Sequence, residues 1–353
     1  IVDEFIIVDT GSTDKTKDII LSLCPKDKLR LLDFEWIDDF SAARNYSFSH
    51  ASCDWILWLD ADDILQAPEA LKDLIRSHGS KFDQVSLPYI YATDTHGHTS
   101  MVHWRERIFR NQRGWWRWEG RVHEYVEPTQ KVRCLQFNES SVTHLKGNFT
   151  QGLEDRRSDR NLKILEKWLI DIGGVDNATP RHLFYLGIEN WILDNKDRAI
   201  EMFNQYIEVS DDQDMLLQVL GRLSNHYCAI KNFDMAYQYA FDALKIKATW
   251  PDAYINLAQI AYIREDYDNA IALATIALSI PPPQQTAAVI DPTHYSILPR
   301  IIRYRAHLSA GDIENALDDL TFCRETRPSE DIIRDFNFVQ KELELRKKVV
   351  KVL

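Results

Sequence analysis

Apolar residues follow two rhythms along this chain. Up to about residue 65, short continuous apolar runs alternate with stretches at helical spacing. Phe5-Ile6-Ile7-Val8 and Trp55-Ile56-Leu57-Trp58-Leu59 are too short for helices and carry no polar alternation. That pattern predicts strands buried on both faces of a parallel sheet. Residues 29–34 predict another strand, while Ile19-Ile20-Leu23 and residues 40–51 predict helices, with Ser41 placed to cap the second. Strand–helix alternation predicts an open α/β sheet whose ligand site lies beyond the strand C-termini. Asp9-Thr10-Gly11-Ser12-Thr13-Asp14 and Asp60-Ala61-Asp62-Asp63 both follow strands and are expected on one sheet edge. Residues 83–150 turn to short β-like stretches rich in aromatics and His, the expected acceptor-facing half of the same domain. From Gln151 the pattern is almost wholly helical, with residues 161–170 forming a connecting amphipathic helix.

The helical half repeats itself. Ala199, Ala236, Ala270 and Ala316 are equivalent, at spacings of 37, 34 and 46 residues. Twelve positions before the first three stand the small residues Gly187, Ser224 and Ala258, each preceded by Leu, and Ala243 and Ala277 follow the middle pair by seven. Pro251, Pro282 and Pro328 come after the repeats, and the long third interval holds an inserted proline-rich loop. Small residues let two helices pack closely and a proline ends the unit. The pattern is similar to the tetratricopeptide repeat, whose helix pairs stack into a solenoid.

Composition narrows the function. At 353 residues, two domains are expected, and 45% hydrophobic with 27% charged residues is the balance of a soluble globular chain. The net charge of −12 argues against a protein built chiefly to grip nucleic acid. Five scattered cysteines without a CxxC argue against disulfides or zinc, so a reducing, cytoplasmic setting is expected. No apolar run is long enough for a membrane span. The chain opens inside an apolar strand without Met, which points to a missing start.

The acidic turns are the first candidates for chemistry. Asp60 and Asp62, one residue apart after a strand, can share a divalent cation that also holds phosphate oxygens; a helix cap with an acidic first turn is the other reading. Asp9 can accept from a base or a ribose, and Gly11 lets a ligand approach the backbone; an ordinary capped turn through Ser12 and Asp14 is the alternative. The Arg44 guanidinium suits a diphosphate, or else a surface salt bridge. A second dense cluster runs Trp116-Arg117-Trp118-Glu119-Gly120-Arg121-Val122-His123-Glu124. His123 could bind a metal or orient an acceptor, and Trp118 could stack on one; a structural hairpin is the rival reading. Six arginines from Arg105 to Arg121 could neutralise a diphosphate or an anionic acceptor, with a nucleic-acid patch as the weaker reading.

Together, residues 3–16 (DEFIIVDTGSTDKT), 34–45 (FEWIDDFSAARN) and 54–63 (DWILWLDADD) resemble the GT-A fold inverting glycosyltransferases of family two. The likeness is greatest to the branch that carries tetratricopeptide repeats, where the sublancin-type peptide S-glycosyltransferases belong. It implies a Rossmann-like, mostly parallel α/β GT-A domain over residues 1–150, a linker over 151–179 and an all-α repeat domain over 180–353. It also implies a nucleotide-sugar donor, a UDP-sugar first, contacted by Asp9, Gly11, Ser12, Asp14, Arg44, Asp60 and Arg121. Asp60, Asp62 and His144 would hold Mn²⁺ or Mg²⁺, and Glu124, with Glu119 in reserve, would take the acceptor proton. The acceptor would be a peptide, protein or glycan, with the repeats free to bind a protein partner or a second copy. The opening strand that helps wall the nucleobase pocket in that family is absent here. Two rivals remain: a phage-type DNA-base glycosyltransferase, and an inactive sugar-binding scaffold.

Overall fold

A computed structural model describes residues 2–93, 99–145, 153–283 and 290–350. The chain divides into two compact units, one of residues 1–92 with 102–210 and the other of residues 93–101 with 211–353.

The first unit opens with β1 (Phe5–Asp9), α1 (Thr16–Leu23), β2 (Leu29–Asp33) and α2 (Phe40–His50). β1 pairs β2 in parallel, Phe5 opposite Leu29 through Asp9 opposite Asp33, and the two form a sheet of their own. The apolar run of β1 is therefore half-buried rather than buried on both faces. α2 is capped by Asp39, whose carboxylate accepts from the Ala42 amide at 2.9 Å. Ser41, the expected cap, sits one step inside the helix and donates its hydroxyl to Asp39.

β3 (Trp55–Leu57), β4 (Asp63–Gln66) and α3 (Pro68–His78) lead into a strand-rich stretch. It holds β5 (Gln84–Thr93), β6 (Thr99–Arg110), β7 (Trp116–Glu119), β8 (Tyr125–Pro128), β9 (Cys134–Gln136) and β10 (Ser141–His144). Six strands form the main sheet in the order β3-β6-β5-β10-β4, with β9 on β5, while β7 and β8 form a separate antiparallel ribbon. The α/β class holds, but the main sheet is mixed rather than mostly parallel: β3–β6 and β10–β4 are antiparallel, β5–β10 and β5–β9 parallel. Helix crossovers favour parallel neighbours. Here four of the six strands come from the stretch after α3, where no α-helix lies between them among the described residues. The two acidic turns consequently end strands of different sheets. Val85, Leu87 and Tyr89, at alternate positions of β5, enter a core with Leu71, Phe82, Ile108 and Val142.

α4 (Leu153–Asp171), α5 (Pro180–Ile192) and α6 (Lys196–Val209) complete this unit. The second unit contains α7 (Gln213–Ala229), α8 (Phe233–Ile246), α9 (Pro251–Ile263), α10 (Tyr267–Ser279), α11 (Ile297–Ser309), α12 (Ile313–Thr326) and α13 (Glu330–Val350). The expected repeat is present as the helix pairs α5/α6, α7/α8, α9/α10 and α11/α12. Ala199, Ala236, Ala270 and Ala316 are fully buried, as are Ser224 and Ala258. Each pair turns through a left-handed residue five positions earlier, Asp194, Lys231, Glu265 and Gly311. The fourth pair puts Tyr304 where the others have a small residue, and its hydroxyl donates to Asp335 of α13. Part of the proline-rich insertion lies outside the described residues. No described helix is long and apolar enough to cross a membrane.

Candidate active site

The acidic turn is built by strand pairing. Trp58 donates its amide to Arg107 O at 3.2 Å, and the chain then turns through Asp60–Asp63, with the Asp63 amide on Asp60 O at 3.0 Å. β4 starts at Asp63 and runs antiparallel to β10, which sets His144 directly opposite Asp63. A residue far along the sequence thereby reaches the turn. His144 Nδ1 lies 3.7 Å from Asp62 Oδ1 and 3.4 Å from Asp63 Oδ1, and the ring stacks on Tyr91 at 5.2 Å. Asp62, Asp63 and His144 each offer a ligand atom, all within 4.8 Å of one another. Two carboxylates and an imidazole so spaced fit a single divalent ion. His144 Nδ1 is buried with no hydrogen bond of its own, the state of an atom suited to ligation.

Asp63 is the fixed point of this group. Its side chain is wholly buried, pairs with the equally buried Arg107 at 2.9 Å and accepts from the Tyr89 hydroxyl at 2.9 Å. The Arg107 guanidinium lies between the Trp58 and Tyr89 rings, at 4.0 and 4.4 Å. Burial pulls its pKa down, against the pull of Asp63. The sequence reading paired Asp60 with Asp62 as ligands; the structure groups Asp62 with Asp63 and directs Asp60 to Arg44.

Arg44, on α2, spans two acids. Its Nη2 donates to Asp60 at 2.8 Å and its Nε to Glu124 Oε1 at 2.6 Å. The guanidinium rests over Trp58 at 4.4 Å and Trp118 at 4.9 Å. Burial works to raise the Asp60 pKa, but Arg44, then Arg107 and Arg105, outweigh it and hold the carboxylate ionised. Glu124 is buried, and Arg105 Nη2 also donates to its backbone carbonyl at 2.9 Å.

The Asp9 turn forms its own group. The Asp9 carboxylate accepts from the Ser12 and Gly11 amides at 3.1 and 3.2 Å, with Lys17 Nζ at 3.3 Å. Ser12 first, then Gly11 and Lys17, hold its pKa below the usual range against burial. Gly11 has φ +104°, and no atom lies within 4 Å of where a Cβ would stand, so the backbone is open there. Asp14 accepts from the Thr16 amide at 2.9 Å at the start of α1.

The remaining expected residues lie elsewhere. Glu119 pairs with Arg117 along β7. Arg121 pairs with Asp171 of α4 at 2.5 Å. Trp118 is buried between Phe48 and Trp58, so it supports Arg44 and offers no open face to an acceptor. His123 bonds Glu189 of α5 at 2.6 Å and is not part of the acidic group. The arginine run disperses in the same way: Arg105 and Arg107 face the site, whereas Arg110 is tied to Asp83. The sequence gives no role to Asp63, which it shows only as part of the acidic turn, and does not single out Tyr89 or Glu189. Asp63 could have been found, because it extends the acidic turn by one residue; the partners of Tyr89 and Glu189 leave no local trace.

Residues 2–133 match the family model Glycosyl transferase family 2. The chain is 29% identical over 211 residues to the SPbeta prophage-derived glycosyltransferase SunS of Bacillus subtilis (strain 168), covering 58% of this chain and 47% of SunS. It is 34% identical over 192 residues to a TPR repeat-containing protein of Synechococcus elongatus, covering 48% of this chain and 42% of that protein. The chain thus spans about half the length of these curated relatives. Among solved structures, a thermophilic TPR protein of Thermus thermophilus overlaps 54% of this chain and 94% of its own, at TM-score 0.39 and 17% identity. The N-terminal region is a glycosyltransferase family 2 domain, followed by a helical-repeat region.

Proposed function

We propose that this chain transfers a sugar, with inversion, from a nucleoside-diphosphate sugar to a peptide, protein or glycan acceptor, with Mn²⁺ or Mg²⁺ at the acidic turn. One observation carries the reading. Arg44 ties Asp60 to Glu124 beside the convergent group of Asp62, Asp63 and His144. Four stretches of sequence meet there, which supports reading these side chains as diphosphate-binding and acid–base groups.

Asp62 and His144 would hold the ion, with Asp63 fixed behind them by Arg107 and Tyr89. When bound, the ion neutralises charge on the departing nucleoside diphosphate, so no acid is needed at that oxygen. Arg44 offers a planar fork to a phosphate or to Asp60. Glu124 accepts the acceptor proton, and the turn of Asp9, Gly11 and Ser12 offers carboxylate and open backbone to the nucleoside. UDP is the first donor base to try. We read the catalytic part as reaching beyond residue 150, since Arg121 and His123 are held by α4 and α5.

Calorimetric titration of UDP with and without Mn²⁺ tests the site. Wild type should bind UDP in a Mn²⁺-dependent way, and Asp62→Asn should lose that dependence while its unfolding transition stays cooperative. A mutant whose UDP affinity still rises with Mn²⁺ as in wild type would overturn the metal assignment. Nucleotide release across a panel of sugar donors would then identify the sugar.

A further inference from the structure

The short segment His123-Glu124-Tyr125 is gripped on both flanks by one helix. His123 has a left-handed backbone, φ +55°, which a residue with a Cβ adopts only when its surroundings hold it there. Its Nε2 meets Glu189 Oε1 at 2.6 Å, and its ring lies flat on Tyr185, with centroids 4.0 Å apart and planes 6° from parallel. Arg181 donates to His123 O at 2.9 Å and lies over both the Tyr125 ring, at 4.4 Å, and the Tyr185 ring. Glu189 is buried and also accepts from Asn161 Nδ2 of α4 at 3.2 Å. Arg181, Tyr185 and Glu189 are spaced at four residues on α5, so they present one face of that helix.

We propose that α5, although it is the first helix of the repeat array, is a positioning element of the active site. Glu189 is its principal residue and sets the place of the Glu124 carboxylate. The reasoning is geometric. Glu124 sits between the two gripped residues, with its Oε1 on Arg44 of α2 and its carbonyl on Arg105 of β6. A carboxylate that must take a proton has to lie within hydrogen-bond reach of it, and a displacement of about 1 Å can cost on the order of 10²-fold in rate. A buried carboxylate accepting from an imidazole and an amide side chain is a rigid anchor for such a loop. Glu189 meets His123 directly, at 2.6 Å, and it is through His123 that it acts on the neighbouring Glu124.

The inference rests on Glu124 as the acceptor-side acid, and the experiment separates the two. Glu189→Ala, Glu189→Gln and Tyr185→Leu would be compared with wild type in three measurements: amide hydrogen exchange across residues 120–125, Mn²⁺-dependent UDP affinity, and donor hydrolysis followed by nucleotide release. Gln keeps an acceptor for the His123 N–H and close to the original volume, so it covers the case in which Ala fails to fold. Positioning predicts faster exchange at 121–125 in Glu189→Ala and Tyr185→Leu, UDP affinity within about twofold of wild type, and kcat down tenfold or more with donor KM unchanged. Glu189→Gln should recover most of kcat. Unchanged exchange in Glu189→Ala, unchanged kcat, or a loss of kcat matched by loss of UDP affinity would each overturn the proposal. If wild type hydrolyses no donor, the transferase reading falls, and the exchange measurement alone decides whether α5 positions the loop.

Discussion

At the scale of single residues, neighbouring acids in one turn have different partners and should fail differently. The Asp63 and Arg107 side chains are both fully buried, whereas the Asp60 side chain is 41% exposed. Removing one member of a buried pair strands the other charge and typically costs about 3–5 kcal/mol, while a half-exposed pair contributes about 1 kcal/mol or less. Asp63→Ala should therefore lower the denaturation midpoint sharply and Asp60→Ala hardly at all. Equal losses in urea unfolding would mean that the Arg107 pair is not the anchor described. Glu124→Gln should leave UDP affinity close to wild type and lower turnover by about 10²–10⁴-fold, the usual contribution of a positioned base. Full activity in Glu124→Gln together with its loss in Glu119→Gln would move the role to Glu119. The sequence brought Asp60, Asp62, Arg44, Glu124 and His144 forward as candidates because each has a chemistry-bearing side chain at a strand end or in a dense cluster. It could not say which of the carboxylates Asp60, Asp62 and Asp63 turns inward, because spacing within one turn does not report burial.

Among the elements, the helix pairs were the most legible and the sheet pairing the least. Small residues recur at fixed spacing because two helices must approach closely at the same place in every pair, which leaves a periodic trace. Strand partners leave none: β10 finds β4 across a long stretch of chain, and the crossover logic that predicts parallel neighbours applies only at β1–β2. The same contrast makes a test within the helices. A Cβ on Gly187 would drive into the Phe203 ring, whereas at Gly221 the nearest atom is Asn256 Nδ2 at 3.9 Å, an ordinary contact. Alanine is favoured over glycine inside a helix by about 1 kcal/mol. Gly221→Ala should then stabilise by up to that amount, while at Gly187 overpacking of about 1–3 kcal/mol should exceed the helical gain. Urea denaturation showing that Gly187→Ala is as stable as wild type would mean that α5 and α6 are less closely packed than Phe203 implies.

For the whole molecule, the rhythm of the sequence and the compactness of the chain divide it at different places. Helical periodicity begins near residue 151, so the sequence places a boundary there, yet the first compact unit continues to Ser210 and takes in α4, α5 and α6. The physical reason is that periodicity reports only the local element, whereas Arg121–Asp171, Lys167–Asp38 and His123–Glu189 are long-range contacts that bind these helices to the sheet part. Truncation discriminates between the two boundaries. A chain ending at Ser210 retains all three contacts and should bind UDP with Mn²⁺ and release nucleotide from donor at a rate within severalfold of the full chain. One ending at residue 147 loses all three partners, exposes the buried face of the loop around Glu124, and should show weakened or absent hydrolysis even where it remains soluble. Nucleotide release measured on both chains beside the full-length protein decides it. Equal rates from the two truncations would confine the catalytic machinery to the sheet-containing part and leave α4 and α5 with no share in it.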